Sequence, residues 1–179
     1  ELLDRYIQQM EQFTPPEVDK ELLKDLLKQR YESDDLKVLL EKGLNDEEGA
    51  IRKACAIYVV KNKLKEFSRI LVDKIEKTAD ITEKKLLIWA FGEIGNADDI
   101  LAMVEYLRNE ENPYVLNLLA AAISKLARES ENITPLILLT EHSKSFYIKS
   151  TAIIGMGKIG NVDAIPVILK QAFGNTSKE

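Results

Sequence analysis

The sequence predicts an all-α fold, a right-handed α–α superhelix of about five helical hairpins. Three observations predict it. First, the stretch Glu83–Asn96 returns 65 residues later as Ile148–Asn161; both end in Gly-x-Ile-Gly-Asn and both run on into an acidic residue and an apolar helix. Second, half of 65 is about 32, and a period of that size marks stacked helical units, each too small to bury its own apolar face. Third, no stretch alternates apolar and polar residues as a half-buried strand does.

Taken in order, Glu1 to Phe13 carries Leu2, Leu3, Tyr6, Ile7 and Met10 at helical spacing, and Thr14-Pro15-Pro16 stops it because neither proline donates a helix hydrogen bond. A second helix starts near Glu17 and carries Leu22, Leu23, Leu26 and Leu27 to about Tyr31. Ser33 is the expected N-cap of a third, with Leu36, Leu39 and Leu40 inward and Gly43 as its stop. Four units follow. Their first helices (A) start near Ile51, Glu83, Val115 and Ile148, and their second helices (B) near Phe67, Ile100, Ile133 and Ile165. The B helices align as Phe67/Ile100/Ile133/Ile165, Ile70/Met103/Leu136/Ile168 and Leu71/Val104/Ile137/Leu169, one inward stripe on each. Ala54-Cys55-Ala56, Ala120-Ala121-Ala122 and Ala152 with Gly155 let A helices approach one another closely. Asn112-Pro113 and Thr134-Pro135 punctuate helix starts. The expected organisation is one domain over 1–173, with capping helices in 1–46, repeats at 47–80, 81–111, 112–143 and 144–173, and a polar tail at 174–179.

Composition narrows the function classes. The 179 residues are 45% hydrophobic and 31% charged, with a net charge of −5. That balance disfavours a phosphate backbone as main ligand, which calls for surplus Lys and Arg. The acidity sits at one end: residues 1–50 hold fourteen acids against seven bases, and residues 51–100 hold ten bases against eight acids. A single cysteine allows no internal disulfide and suits a reducing, cytoplasmic setting. No apolar run is long enough to span a bilayer and no signal peptide opens the chain, so no membrane partner is expected. The chain begins at Glu1 rather than Met, as a trimmed or excised piece of a longer protein would.

At Lys149–Asn161 the residues resemble a known family. Ile148-Lys149, Ala152, Gly155-Met156-Gly157, Ile159-Gly160, Ala164 and Pro166 are similar to the short HEAT-like repeats named after phycobilisome (PBS) lyases, with Lys149 where the family pattern has arginine. Lys84, Leu86-Leu87, Ala90-Phe91-Gly92 and Ile94-Gly95 match nearly as well. Ile51-Arg52 and Ala54-Cys55 match the opening only, and Val115 to Ala127 keeps only the alanines. The resemblance covers 47–173. It implies an armadillo-like α-solenoid acting as scaffold or adaptor far more often than as catalyst, with no cofactor and no metal.

Residues that could carry chemistry have plainer readings. Gly155, Gly157 and Gly160 fit a dinucleotide glycine pattern, but that site needs a strand before and a helix after, and these glycines lie late in a helix; Gly95 and Gly160 read as left-handed C-caps. Cys55 lies on a packing face and reads as a small hydrophobe. His142, the only histidine, cannot build a metal site alone and reads as surface. Trp89 aligns with Ile57, Ala121 and Ile154 and reads as core rather than a contact to DNA. The bases clustered from Arg52 to Lys85 read as a solvated face, with an acidic partner as the minority alternative.

The outward side of the B helices is the expected site. Its first row is Val38, Arg69, Ala102, Pro135 and Val167; its second is Glu41, Val72, Glu105, Leu138 and Lys170; its third is Asn45, Glu76, Asn109 and His142. Six of the first ten places are apolar, which a solvated face would not need. The reading is a non-enzymatic protein-binding groove on the concave side, with self-association through the terminal repeats as a further partnership. The alternative is a HEAT-like enzyme or chromophore-handling accessory of phycobilin-lyase type; nucleic-acid binding ranks below both.

Overall fold

The computed structural model describes residues 16–173; the predicted helix at Glu1–Phe13 and the tail at 174–179 lie outside them. The described residues form α1 (Lys20–Tyr31), α2 (Leu36–Leu44), α3 (Gly49–Lys61), α4 (Ser68–Lys77), α5 (Ile81–Ile94), α6 (Ala97–Asn109), α7 (Pro113–Glu129), α8 (Thr134–His142), α9 (Phe146–Ile159) and α10 (Ile165–Phe173), with 3-10 turns at Lys65–Phe67 and Val162–Ala164. No strand occurs among them, so the fold is all-α. Local chemistry sets the starts. Asp19, Asp35, Asp80 and Asn112 each accept hydrogen bonds from two backbone N–H groups of the first turn they cap. Asp35, not Ser33, caps α2; the Ser33 hydroxyl instead accepts from the Asp35 N–H.

The helices stack in two alternating sets. The odd-numbered helices pack successively on one another from α1 to α9, and α2, α4, α6 and α8 do the same more loosely. Each even helix up to α8 also packs closely on the odd helix that follows it, so consecutive units share one core running from Leu23 to Ala164. The most thoroughly covered helix is α5, in which Leu87, Ile88, Ala90 and Phe91 are all fully buried.

The B helices are not in the register that constant spacing predicts. Asn96, Asn132 and Asn161 each accept a backbone N–H at the start of α6, α8 and the last 3-10 turn. Aligned on these caps, positions pair as Phe67/Asp99/Pro135/Ala164, Leu71/Met103/Leu139/Ile168 and Val72/Val104/Thr140/Leu169, all buried except Ile168 and Leu169 of the last helix. The cause is α7: it has 17 residues where its counterparts α3, α5 and α9 have 13, 14 and 14, and the extra turn carries α8 forward. Two residues expected on the outward face are inside, Pro135 for this reason and Val72 because Phe67 aligns with Asp99 rather than Ile100. Val72 is 0% exposed and Pro135 is buried, each on the stripe that meets neighbouring helices.

Two glycines also act differently from expectation. Gly43 lies inside α2 rather than stopping it, and an added Cβ would sit 2.5 Å from Cys55 Sγ on α3. Its role is close helix approach. Gly95 has φ −58, not a left-handed value, whereas Gly160 has φ 72 and caps α9 as expected.

Candidate functional site

Of the eleven residues expected on the outward face of the even helices, five are exposed, five half-buried and one fully inside, and Ala102, Leu138 and Val167 among the half-buried pack against the core. Arg69, Glu76, Glu105, Asn109 and Lys170 are exposed; Val38, Glu41, Ala102, Leu138 and Val167 are half-buried; Val72 has left for the core. Asn45 and His142 are exposed along the same side, and Leu101, which the sequence rows missed, is 44% exposed beside Ala102. The face is more ionic than expected. Arg69 lies 3.5 Å from Asp73 and 3.9 Å from Asp99, and Arg108 donates to Glu105 at 2.6 Å. With Val72 and Pro135 inside, the apolar content falls to scattered small side chains among ion pairs.

The basic cluster divides. Arg52 and Lys84 are not solvated; Arg52 joins its unit to the next, and Lys84 ties together the two helices of its own. Arg52 donates to both carboxylate oxygens of Glu83 at 2.5 and 2.6 Å, and to the backbone carbonyls of Asp46 and Glu47 at 2.6 and 2.8 Å. Glu83 is 3% exposed and belongs to the next odd helix. Hydrogen bonding to Glu83 outweighs burial and raises the Arg52 guanidinium further above its usual range. One unit on, Lys84 donates to Tyr106 at 2.8 Å and lies 3.4 Å from Glu110, to which Tyr106 donates at 2.6 Å. Within the first hairpin, buried Asp46 accepts from Arg30 at 2.6 and 3.0 Å, from Tyr31 and from the Glu48 N–H at 2.7 Å. Burial pushes the Asp46 carboxyl up, but these donors together hold it below the usual range; burial and Asp46 push the Tyr31 phenol up to about 12. Sequence reading missed these joints. The available signal was Glu83 itself, a lone acid at a position filled by Ile51, Val115 and Ile148 in the other units.

The remaining candidates are structural. Cys55 is 0% exposed, and burial, helped by Asp46, pushes its thiol up to about 12, the opposite of what a nucleophile needs. Trp89 is 6% exposed and belongs to the core. His142 is exposed at the end of α8, beside a cleft of about 250 Å³ lined partly by Arg108, Glu110 and Lys144. Gly155 and Gly157 lie within α9. Among the described residues no three His, Cys, Asp or Glu side chains gather as a metal site requires, and no helix is long and apolar enough to cross a membrane. Two clefts on the odd-helix side were not foreseen: one of about 530 Å³ between α1 and α3, and one of about 410 Å³ between α3 and α5, where Ala50 and Ala54 leave room.

No protein-family model, curated protein or solved structure matches the chain.

Proposed function

We propose that this chain is a non-enzymatic helical-repeat scaffold, a HEAT-like solenoid that holds another protein against the outward face of its even helices. The observation that carries the reading is the use made of ionisable side chains. Arg52 with Glu83 is committed to joining one unit to the next, and Lys84 with Tyr106 and Glu110, and Asp46 with Arg30 and Tyr31, to holding the two helices of one hairpin together. Catalysis requires such groups in a cleft, free to exchange protons with a substrate; these are engaged with one another. Rigid joints in turn favour binding, because a preformed surface loses little entropy when a partner arrives. The exposed face offers the mixed chemistry of a protein-binding patch: Arg69, Glu76, Glu105 and Lys170 around Leu101, Ala102 and Leu138. Its ion pairs set register and specificity more than affinity.

The test is affinity capture with quantitative mass spectrometry, comparing wild type with Arg69→Glu/Leu138→Asp. Arg69 is exposed but half-buried Leu138 packs against the core, so helicity and melting temperature are measured first, and Leu101→Asp, at a leucine 44% exposed, replaces Leu138→Asp if they fall. Captured proteins that disappear with the double variant support the face; a capture profile identical to wild type overturns it.

A further inference from the structure

The grooves between successive odd helices are filled differently along the stack. Just before the aligned positions Glu83, Val115 and Ile148 stand Thr82 on α5, Tyr114 on α7 and Tyr147 on α9. Between α5 and α7 the Tyr114 ring is half-buried against the core, and Lys85 of α5 lies over it, its Nζ 4.8 Å from the ring centroid. Tyr147 is likewise half-buried against the core. One groove back, between α3 and α5, Thr82 stands where that ring would be and Lys53 stands where Lys85 does. Threonine is too short to fill the space, and the cleft of about 410 Å³ is what remains.

The lining of that cleft has a definite chemistry. Ile57 and Leu86, 1% and 5% exposed, form an apolar floor, and the lining residues with polar side chains are Lys53, Lys85 and Thr82. Lys53 makes no ion pair or hydrogen bond with any described residue. The Asp80 carboxylate, on which Lys53 acts through its charge, already accepts from the Thr82 and Glu83 N–H groups. By contrast Arg52 and Lys84, beside these two lysines in sequence, are both tied to carboxylates. The larger cleft between α1 and α3 differs in the same respect, since the charged residues lining it, Arg30 and Glu48, pair with each other at 3.0 Å.

We propose that the cleft between α3 and α5 binds a small aromatic carboxylate. Its ring takes the place that a tyrosine takes in the next groove, beneath Lys53, and its carboxylate meets the ammonium groups of Lys53 and Lys85. The volume lies within the range of roughly 300–1,000 Å³ typical of small-ligand sites, which are mostly apolar with a few placed polar groups. An ammonium group without a partner beside apolar walls favours an anion over a neutral ring. The site is on the odd-helix side, so it does not depend on the binding face proposed above.

Isothermal titration of the full-length chain with indole-3-propionate tests it, with indole and propionate as the separate halves of the probe. Indole-3-propionate should bind saturably, and each half at least about tenfold more weakly, because ring and carboxylate contribute together. Thr82→Tyr should abolish binding without lowering the melting temperature, since tyrosine already occupies the aligned places in α7 and α9 and Thr82 is exposed. Lys53→Gln should weaken binding by about tenfold and leave the fold intact. Should Thr82→Tyr lose helicity, Thr82→Leu takes its place. A full-length chain that shows no saturable binding overturns the proposal, whatever then fills the cleft. So does binding that Thr82→Tyr leaves unchanged, which would put the ring elsewhere. Loss with Thr82→Tyr but none with Lys53→Gln would overturn the carboxylate as the ligand class.

Discussion

Glu83–Asn96 and Ile148–Asn161 are near-copies in sequence and opposites in environment. The first, α5 with its cap, is enclosed on both sides, by α3 and α4 before it and by α7 after it. The second is packed on α7 and α8 and, among the described residues, is followed only by α10, which buries none of its own residues. The shared Gly-x-Ile-Gly-Asn therefore does two jobs. Gly160 takes the left-handed conformation that ends a helix, like Lys63 and Glu131 in the equivalent turns, with φ 72, 53 and 52. Gly95 does not; a Cβ there would lie 2.5 Å from Leu126 Cδ1 and 2.8 Å from the Phe91 carbonyl oxygen. One glycine is required by backbone conformation and the other by a neighbour. In a stacked fold the same residues acquire different roles according to what is laid against them.

The largest effect that would break this comparison lies at the first copy's opening. Arg52→Ala leaves Glu83 buried without its partner and should cost about 3–5 kcal/mol in urea unfolding. Arg52→Leu/Glu83→Ile should recover part of that loss, because Leu116 and Ile148 already fill the corresponding places around α9. Recovery stays partial because Arg52 also donates to the carbonyls of Asp46 and Glu47. Next, Gly95→Ala should cost about 2–3 kcal/mol through overpacking, read from the same unfolding curves.

The two copies should also differ in pH response. At Glu110 burial acts upward, but Tyr106, the Asn112 N–H and Lys84 outweigh it and hold the carboxyl below its usual range. Stability from a depressed carboxyl is present above its unfolded value and lost as pH falls through the folded one. The urea midpoint should therefore fall below about pH 4.5, and Glu110→Gln should flatten that limb. Sixty-five residues on, the second copy's sequence has Gln171 and Asn175 in place of Tyr106 and Glu110 and contributes no such slope.

Smaller effects separate the glycines of the second copy. Gly160→Ala meets nothing within 4 Å, so its cost should be conformational alone, about 1 kcal/mol. Gly157→Ala lies in helix α9 with equally open surroundings and should stabilise by roughly 0.5–1 kcal/mol, raising the melting temperature by a few degrees.

Helix identity and the period of about 32 were legible in the sequence because caps and apolar spacing are local. Asp80, Asn112 and Asn96 announce their helices whatever surrounds them. The register of the even helices was not legible. It follows from α7 running one turn long, and Lys125 to Glu129 continues a good helical pattern without any marker that its counterparts have already stopped. That turn moved Pro135 from the expected groove into the core; Val72 is there because Phe67 aligns with Asp99 rather than Ile100. The joints were half legible: Glu83 is out of character for its position, but only the fold brings Arg52 to it. Exposure at the last helix was legible only from its place at the end of the repeats, since Leu169 and Val104 look alike until one is covered and the other is not.

The central claim is that each unit's stability depends on the unit laid against it. Native-state hydrogen exchange resolved by helix tests this most directly. The account predicts slowest exchange in α5 and α7, enclosed on both sides, a steady loss of protection through α9, and fastest exchange in α10. Protection in α10 equal to that in α5, measured at concentrations where the protein is monomeric, would contradict it.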